Sequence, residues 1–111
     1  MGTGQEIVIQ LTLKGKPTAF SVVHDDGSFL PEPVANGINA VRLFGHSQLF
    51  VTYDRDSNTV VRAVEKVRKI VQAMQVEGEK IEVTTTPSIP STPEGRRLNF
   101  HFCRVDLRLK K

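Results

Sequence analysis

Residues 57–78, SNTVVRAVEKVRKIVQAMQVEG, form the stretch of sequence that decides the fold. At about 100° per residue its apolar positions fall in a stripe roughly 120° wide, which comprises Val60, Ala63, Val64, Val67, Ile70, Val71 and Met74. Asp56 or Ser57 is a suitable N-cap, and Gly78 is a suitable residue to end the helix. The sequence therefore predicts one long amphipathic helix, whose apolar stripe needs a sheet face to cover.

Alternating segments on both sides of this helix predict that sheet. Residues 6–13, EIVIQLTL, place apolar and polar side chains on opposite faces, which is typical of a strand with one buried face. Further strands are expected over the β-rich or alternating segments 18–24, 48–53, 80–86 and 98–109. Since the first two strands flank a short turn, we expect a mainly antiparallel sheet.

Residues 33–43 leave two interpretations open. Val34, Ile38 and Val41 have helical spacing, which favours a short second helix. Asn36-Gly37 favours a tight turn between extended pieces instead, and glycine weakens a helix by about 1 kcal/mol. We expect the helix. The predicted fold is then an α+β domain with about five strands, covered on one face by the 57–78 helix.

The last strand changes phase along its length. Leu98 and Phe100 are apolar at even positions, whereas Cys103, Val105 and Leu107 are apolar at odd positions. A one-residue slip moves side chains to the opposite face, so the pattern predicts a β-bulge near residues 102–103. The alternative is a strand whose free edge pairs with another chain.

Composition points to one domain spanning residues 1–111, with an exposed Pro-rich loop at 87–97. No apolar run approaches the ~20 residues of a membrane span, and the first residues lack a secretory signal pattern. The single cysteine, Cys103, excludes an intrachain disulfide. We therefore expect a cytoplasmic protein that does not engage a membrane.

Positive charge is concentrated at the C-terminus. The net charge of the chain is +3, and residues 96–111 contain six basic residues and one acidic residue, a balance of +5. Arginine and lysine beside aromatic rings suit a nucleic acid, because the cations contact phosphates while the rings stack on bases. The candidate binding residues of the strand, the tail and the helix are Arg96, Arg97, Phe100, His101, Phe102, Arg104, Arg108, Lys110, Lys111, Arg62, Lys66 and Lys69.

Signals for a metal or a catalytic group are weak. His24-Asp25-Asp26 precedes a glycine, and aspartates there typically stabilise a turn, so no metal site is predicted. His101 and Cys103 are two residues apart and suit a thiol nucleophile with its base, although Cys103 also belongs to the apolar set of its strand. Phosphate-loop and dinucleotide patterns are absent, so no cofactor is predicted.

The sequence therefore favours a small non-catalytic binding module or complex subunit. Its expected contact surface is the basic C-terminal strand and tail, and its expected partner is another protein or a second copy of itself. Nucleic acid bound by the same strand is the alternative, and a small enzyme using His101 and Cys103 is the second alternative. No residue pattern in the chain identifies a family.

Overall fold

The computed structural model describes residues 7–52, 57–86 and 102–110. These ranges form five strands and two helices in the order β1 (Ile7–Leu13), β2 (Lys16–Val23), α1 (Glu32–Phe44), β3 (His46–Thr52), α2 (Ser57–Met74), β4 (Ile81–Thr86) and β5 (Phe102–Leu109). The α+β class is confirmed. The predicted Pro-rich loop at 87–97 lies outside the described residues.

All neighbouring strands are antiparallel, and their order across the sheet is β2-β1-β3-β5-β4. Strand β5 lies between β3 and β4, so it has no free edge. The idea that the last strand pairs with another chain through a free edge is therefore wrong: the edges belong to β2 and β4. The register of β5 with β3 is regular from Phe102 to Arg108. Residues 98–101, which carry the phase change, lie outside the described residues.

Both helices pack on the same face of the sheet. Strand side chains at odd positions are buried or half-buried there, apart from Pro17 beside the bulge in β2, while those at even positions are half-buried or exposed. One hydrophobic cluster joins these strand residues to the helices. Its fully buried members include Ile9, Leu11, Ile38, Leu49, Val51, Val60, Val67, Val105 and Leu107. The apolar stripe predicted for the long helix is thus the part of α2 that covers the sheet.

Helix α1 confirms the helical interpretation of residues 33–43, and the Asn-Gly turn does not form. Gly37 faces the sheet, where a Cβ atom would come within 3.3 Å of side-chain atoms of Leu11, Leu107 and Ser47. The Ser47 hydroxyl donates a hydrogen bond to the Gly37 carbonyl oxygen at 2.9 Å. Glycine is therefore used here for the close approach of a helix to the centre of the sheet.

The C-terminal ends of the two helices are joined by Arg42. Its Nε and Nη2 donate to the Glu79 carboxylate at 2.9 and 3.0 Å, and Nη2 also donates to the Met74 carbonyl at 2.9 Å. The hydrogen bond from Arg42 lowers the pKa of Glu79. Helix α2 ends at Met74, earlier than predicted, and Gly78 adopts a φ of 83° within a later turn. Neither α1 nor α2, the helices of the described ranges, has the length and apolarity that crossing a membrane requires.

Gly27 packs the turn after β2 directly against α2. Its φ is +86°, and a Cβ there would lie 2.9 Å from the Arg62 backbone carbon. Gly78 has a similar φ of +83° but open space around it.

Gly78→Ala should lower the free energy of unfolding by about 1–2 kcal/mol, because the Cβ atom of alanine makes a positive φ unfavourable. Gly27→Ala should lower the free energy of unfolding by about 1–3 kcal/mol more than Gly78→Ala does, since the turn must also move away from α2 to make room for the Cβ atom.

Urea unfolding followed by circular dichroism measures both variants under the same conditions. Equal losses of unfolding free energy for Gly27→Ala and Gly78→Ala would contradict the close contact between the turn and α2.

Candidate functional site

The face of the sheet opposite the helices is uncovered among the described residues, and we call it the open face. Its side chains alternate with the buried ones along every strand, and none of them is classed as buried. They are Val8, Gln10, Thr12, Phe20, Val22, His46, Gln48, Phe50, Thr52, Glu82, Thr84, Thr86, Arg104, Asp106 and Arg108. A sheet face without a covering layer is a surface of known shape that another molecule can contact.

One row of side chains crosses the whole open face. Gln10 pairs with Phe20 on one side and with Phe50 on the other, Phe50 pairs with Arg104, and Arg104 pairs with Thr86. Phe20 is 69% exposed, while Phe50 and Arg104 are half-buried. With strands about 4.8 Å apart, Phe50 lies about 10 Å from Phe20 and about 5 Å from Arg104. Two aromatic rings and a guanidinium are therefore aligned across the sheet.

The charged part of the open face is centred on Asp106. Arg104 Nε donates to Asp106 Oδ2 at 3.1 Å, and His46 Nε2 lies 3.8 Å from Asp106 Oδ1. Lys110 Nζ lies 3.9 Å from Glu82 Oε2. Arg108 is exposed and forms no ion pair with the described residues. The carboxylates therefore have cationic or imidazole neighbours, which leaves Arg108 as a cation available to an incoming group.

The structure separates the predicted binding residues into two regions. Arg104 and Arg108 lie on the open face, whereas Arg62, Lys66 and Lys69 lie on α2, which covers the opposite face. The helix and strand cations therefore do not form one surface. Lys110 follows β5 and lies near the open face. The candidates outside the described residues are Arg96, Arg97, Phe100, His101 and Lys111, and only the backbone of Phe102 is described.

The three helix cations line a groove of about 510 Å³ between α2 and the turn that follows β2. Arg62 Nη1 donates to the Asp25 carbonyl oxygen at 3.2 Å, and Lys66 Nζ lies 5.3 Å from the centre of the buried Phe29 ring. These two cations thus hold residues 25–29 against α2. Acidic Asp26 and Glu65 also line the groove, so its charge is mixed, as it is on the open face, and two of its three cations already contact the turn.

The turn at 24–28 has the backbone-stabilising role expected from its aspartates. Asp26 Oδ1 accepts hydrogen bonds from the Ser28 hydroxyl at 2.6 Å and from the Ser28 N–H at 2.9 Å, which lowers the pKa of Asp26. His24 N–H donates to the Ser28 carbonyl at 2.8 Å. Within the described ranges no three His, Cys, Asp or Glu side chains come together as a group able to hold a metal ion.

Cys103 lies on the buried face of β5, with no exposed surface. Burial raises the pKa of its thiol to about 11. A nucleophilic cysteine needs the opposite shift, because the thiolate is the reactive form. His101, the predicted base for this thiol, lies outside the described residues. The environment of Cys103 is that of a small core residue.

Sequence reasoning missed the two phenylalanines of the row. Phe20 and Phe50 were assigned to strands without a binding role. Their even-numbered positions within alternating segments place them away from the core, which is a signal that the sequence carries. Their alignment with Arg104 depends on the strand order, which the sequence does not reveal. Comparison of this chain with known proteins finds no matching family model, curated protein or solved structure.

Burial of Cys103 predicts an unreactive thiol. At pH 8 a pKa of about 11 leaves roughly one thiol in a thousand ionised, and the core also excludes the reagent. Native protein should react with iodoacetamide at least a hundredfold more slowly than urea-unfolded protein, as measured by mass spectrometry. Comparable rates in the two states would show that the thiol is accessible and would restore the enzymatic alternative.

Proposed function

We propose that this protein is a non-catalytic binding module that takes single-stranded nucleic acid on the open face of its sheet. The observation that carries the proposal is the row in which Phe20, Phe50 and Arg104 are aligned across neighbouring strands. Aromatic rings on a sheet offer stacking surfaces for bases, and nearby cations contact the phosphates. Duplex DNA has no exposed base faces to stack in this way, so a single strand is the expected ligand.

Charge supports the same ligand. The two carboxylates of the open face, Asp106 and Glu82, have Arg104, His46 and Lys110 as neighbours. Their repulsion of a phosphate is therefore reduced, and Arg108 supplies an unpaired cation among the described residues. Residues 96–111, with a balance of +5, include β5 and continue beyond it on both sides. A phosphate backbone that follows β5 would meet positive charge along this part of the chain.

The absence of a catalytic role is part of the proposal, because Cys103 is buried with a raised pKa. We also place the protein in the cytoplasm, where a reduced cysteine is normal and nucleic acid is present.

A protein partner at the same face is the second candidate. It is favoured by the apolar corner formed by Phe20, which is 69% exposed, and Val22, which is 36% exposed. Exposed apolar groups beside polar residues are typical of protein contacts. Such binding would change little with ionic strength, whereas binding to phosphates weakens steeply as salt is added.

Anisotropy of a fluorescent single-stranded RNA or DNA oligonucleotide tests the proposal directly. The native protein should bind it more tightly than a duplex of equal length, with an affinity that falls as salt rises. Arg108→Glu should weaken binding at least tenfold, because it replaces an attractive charge by a repulsive one. Phe50→Leu should weaken it about fivefold or more, because a stacking contact contributes about 1–3 kcal/mol. Leucine preserves apolar volume at a half-buried position.

Lys69→Glu is the matched control, because it makes the same charge change on α2, on the other side of the molecule. It should weaken binding less than threefold. If Lys69→Glu and Arg108→Glu have equal effects, only the total charge matters and the open face is not the site. If the native protein binds no single strand even at low salt, nucleic acid is not the ligand.

A further inference from the structure

The two edges of the sheet are protected to different degrees. On β4, the Gln75 side chain accepts a hydrogen bond from the Ile81 N–H at 2.6 Å. Arg68 Nη1 donates to the Val83 carbonyl oxygen at 3.0 Å. Both side chains come from the region of α2, which therefore covers the outward backbone groups of this edge. Natural proteins use such devices to prevent an edge strand from pairing with another chain.

The hydrogen-bond pattern shows which groups face outward on β2. Residues in an antiparallel ladder alternate in which neighbour their N–H and C=O face. Leu109 N–H donates to the Gly45 carbonyl at 3.1 Å, which fixes this alternation for β5 and β3. Odd-numbered residues of β3 therefore bond to β5 and even-numbered ones to β1. By the same alternation, odd-numbered residues of β1 bond to odd-numbered residues of β2, so the backbone groups of Phe20 and Val22 lie on the outer edge.

The backbone groups of β4 follow the same alternation. Lys110 N–H donates to the Lys80 carbonyl at 2.8 Å, so the even-numbered residues of β4 face β5 and the odd-numbered ones face outward. Ile81 and Val83 are odd-numbered, and they are the residues whose backbone groups Gln75 and Arg68 meet. The alternation is therefore consistent across the sheet.

The edge of β2 is protected at its start, where Pro17 and a β-bulge opposite Leu11 and Thr12 interrupt the ladder, but residues 19–23 lack protection of the kind seen on β4. The Ser21 hydroxyl donates to the Val22 carbonyl at 3.0 Å and accepts from the Leu30 N–H at 2.9 Å, whereas the N–H and C=O of Phe20 meet no partner among the described residues. Lys16 is the only charged residue of β2, and residues 17–23, PTAFSVV, carry no charge, although charges are among the usual protections of an edge. Phe20 itself is 69% exposed. An edge with free backbone groups and an exposed aromatic side chain favours addition of a strand.

We propose that β2 is a homodimer edge: two copies of the chain pair their β2 strands antiparallel, with Phe20 opposite Phe20 of the second copy. In this register the outward N–H and C=O of each Phe20 bond to those of the other, and Val22 lies opposite Thr18 of the second copy. The two phenylalanine rings become a cross-strand pair, which contributes beyond its buried area. The inference rests on the edge of β2 and does not require the proposed nucleic-acid function.

Two features make this register self-complementary. Antiparallel pairing centred on Phe20 brings the basic turn at Lys14 and Lys16 of one copy toward the acidic turn at Asp25 and Asp26 of the other. It also joins the two open faces into one. The row of each copy then continues into the other through the two Phe20 side chains. Seven gaps between neighbouring strands separate the two Arg104 residues, which therefore lie about 34 Å apart.

Sedimentation velocity on protein free of nucleic acid tests the dimer. The native protein should shift toward the dimer as its concentration rises from micromolar to submillimolar. Phe20→Lys should remain monomeric at every concentration, because it places two like charges opposite each other at the symmetry axis. Thr84→Lys is the control, since it puts the same charge on the open face of the protected edge strand, and it should dimerise as the native protein does. A monomeric native protein, or a dimer unaffected by Phe20→Lys, would overturn the proposal.

Crosslinking tests the register independently. Phe20→Cys should be linked between copies by a short bismaleimide, because residues paired across the axis have Cα atoms about 5.5 Å apart. Val22→Cys should link poorly, since the two Val22 residues are offset by four positions, about 13 Å. The buried Cys103 should not react in the folded protein. Preferential linking at Val22→Cys would show a different register, which would contradict the proposed pairing centred on Phe20.

Discussion

One-sided burial of the sheet is the constraint on which the rest of the structure depends. Both helices cover the face built from odd-numbered strand residues, and they join it in one hydrophobic cluster. Because side chains alternate along a strand, every buried residue fixes an outward neighbour. The positions of Phe20, Phe50 and Arg104 on the open face are therefore consequences of the burial of Ser21, Leu49 and Val105. A one-residue change of register would bury the polar set and expose the core.

Much of this arrangement can be predicted from periodicity. The apolar stripe of α2 and the alternation of β1 each identify an element and its buried face, and both are confirmed. Gly37 shows a limit of such local rules, because its low helix propensity is outweighed by a tertiary contact. Only the packing of α1 against Leu11 and Leu107 explains why a glycine suits that helix.

The strand order is what the sequence does not provide. Strand β5 is last in the chain, and its change of phase allowed a strand with a free edge, yet it lies inside the sheet. Its basic residues therefore face the open surface rather than an edge. For the same reason the candidate site was only partly predicted: Arg104 and Arg108 were identified, but the contributions of Phe20 and Phe50 depend on non-local pairing. Arg62, Lys66 and Lys69 were grouped with β5 because sequence distance says nothing about which side of a sheet a helix covers.

The central claim is that the open face is the contact surface for a single-stranded nucleic acid. The most direct measurement is a ¹H–¹⁵N NMR titration of the protein with an unlabelled single-stranded oligonucleotide. The account predicts that the largest amide shifts occur along β1, β3 and β5, at Gln10, Phe50 and Arg104 and their neighbours, and that the groove beside α2 changes little. Shifts concentrated at Asp26, Ser28 and Lys66, with an unchanged sheet, would contradict it.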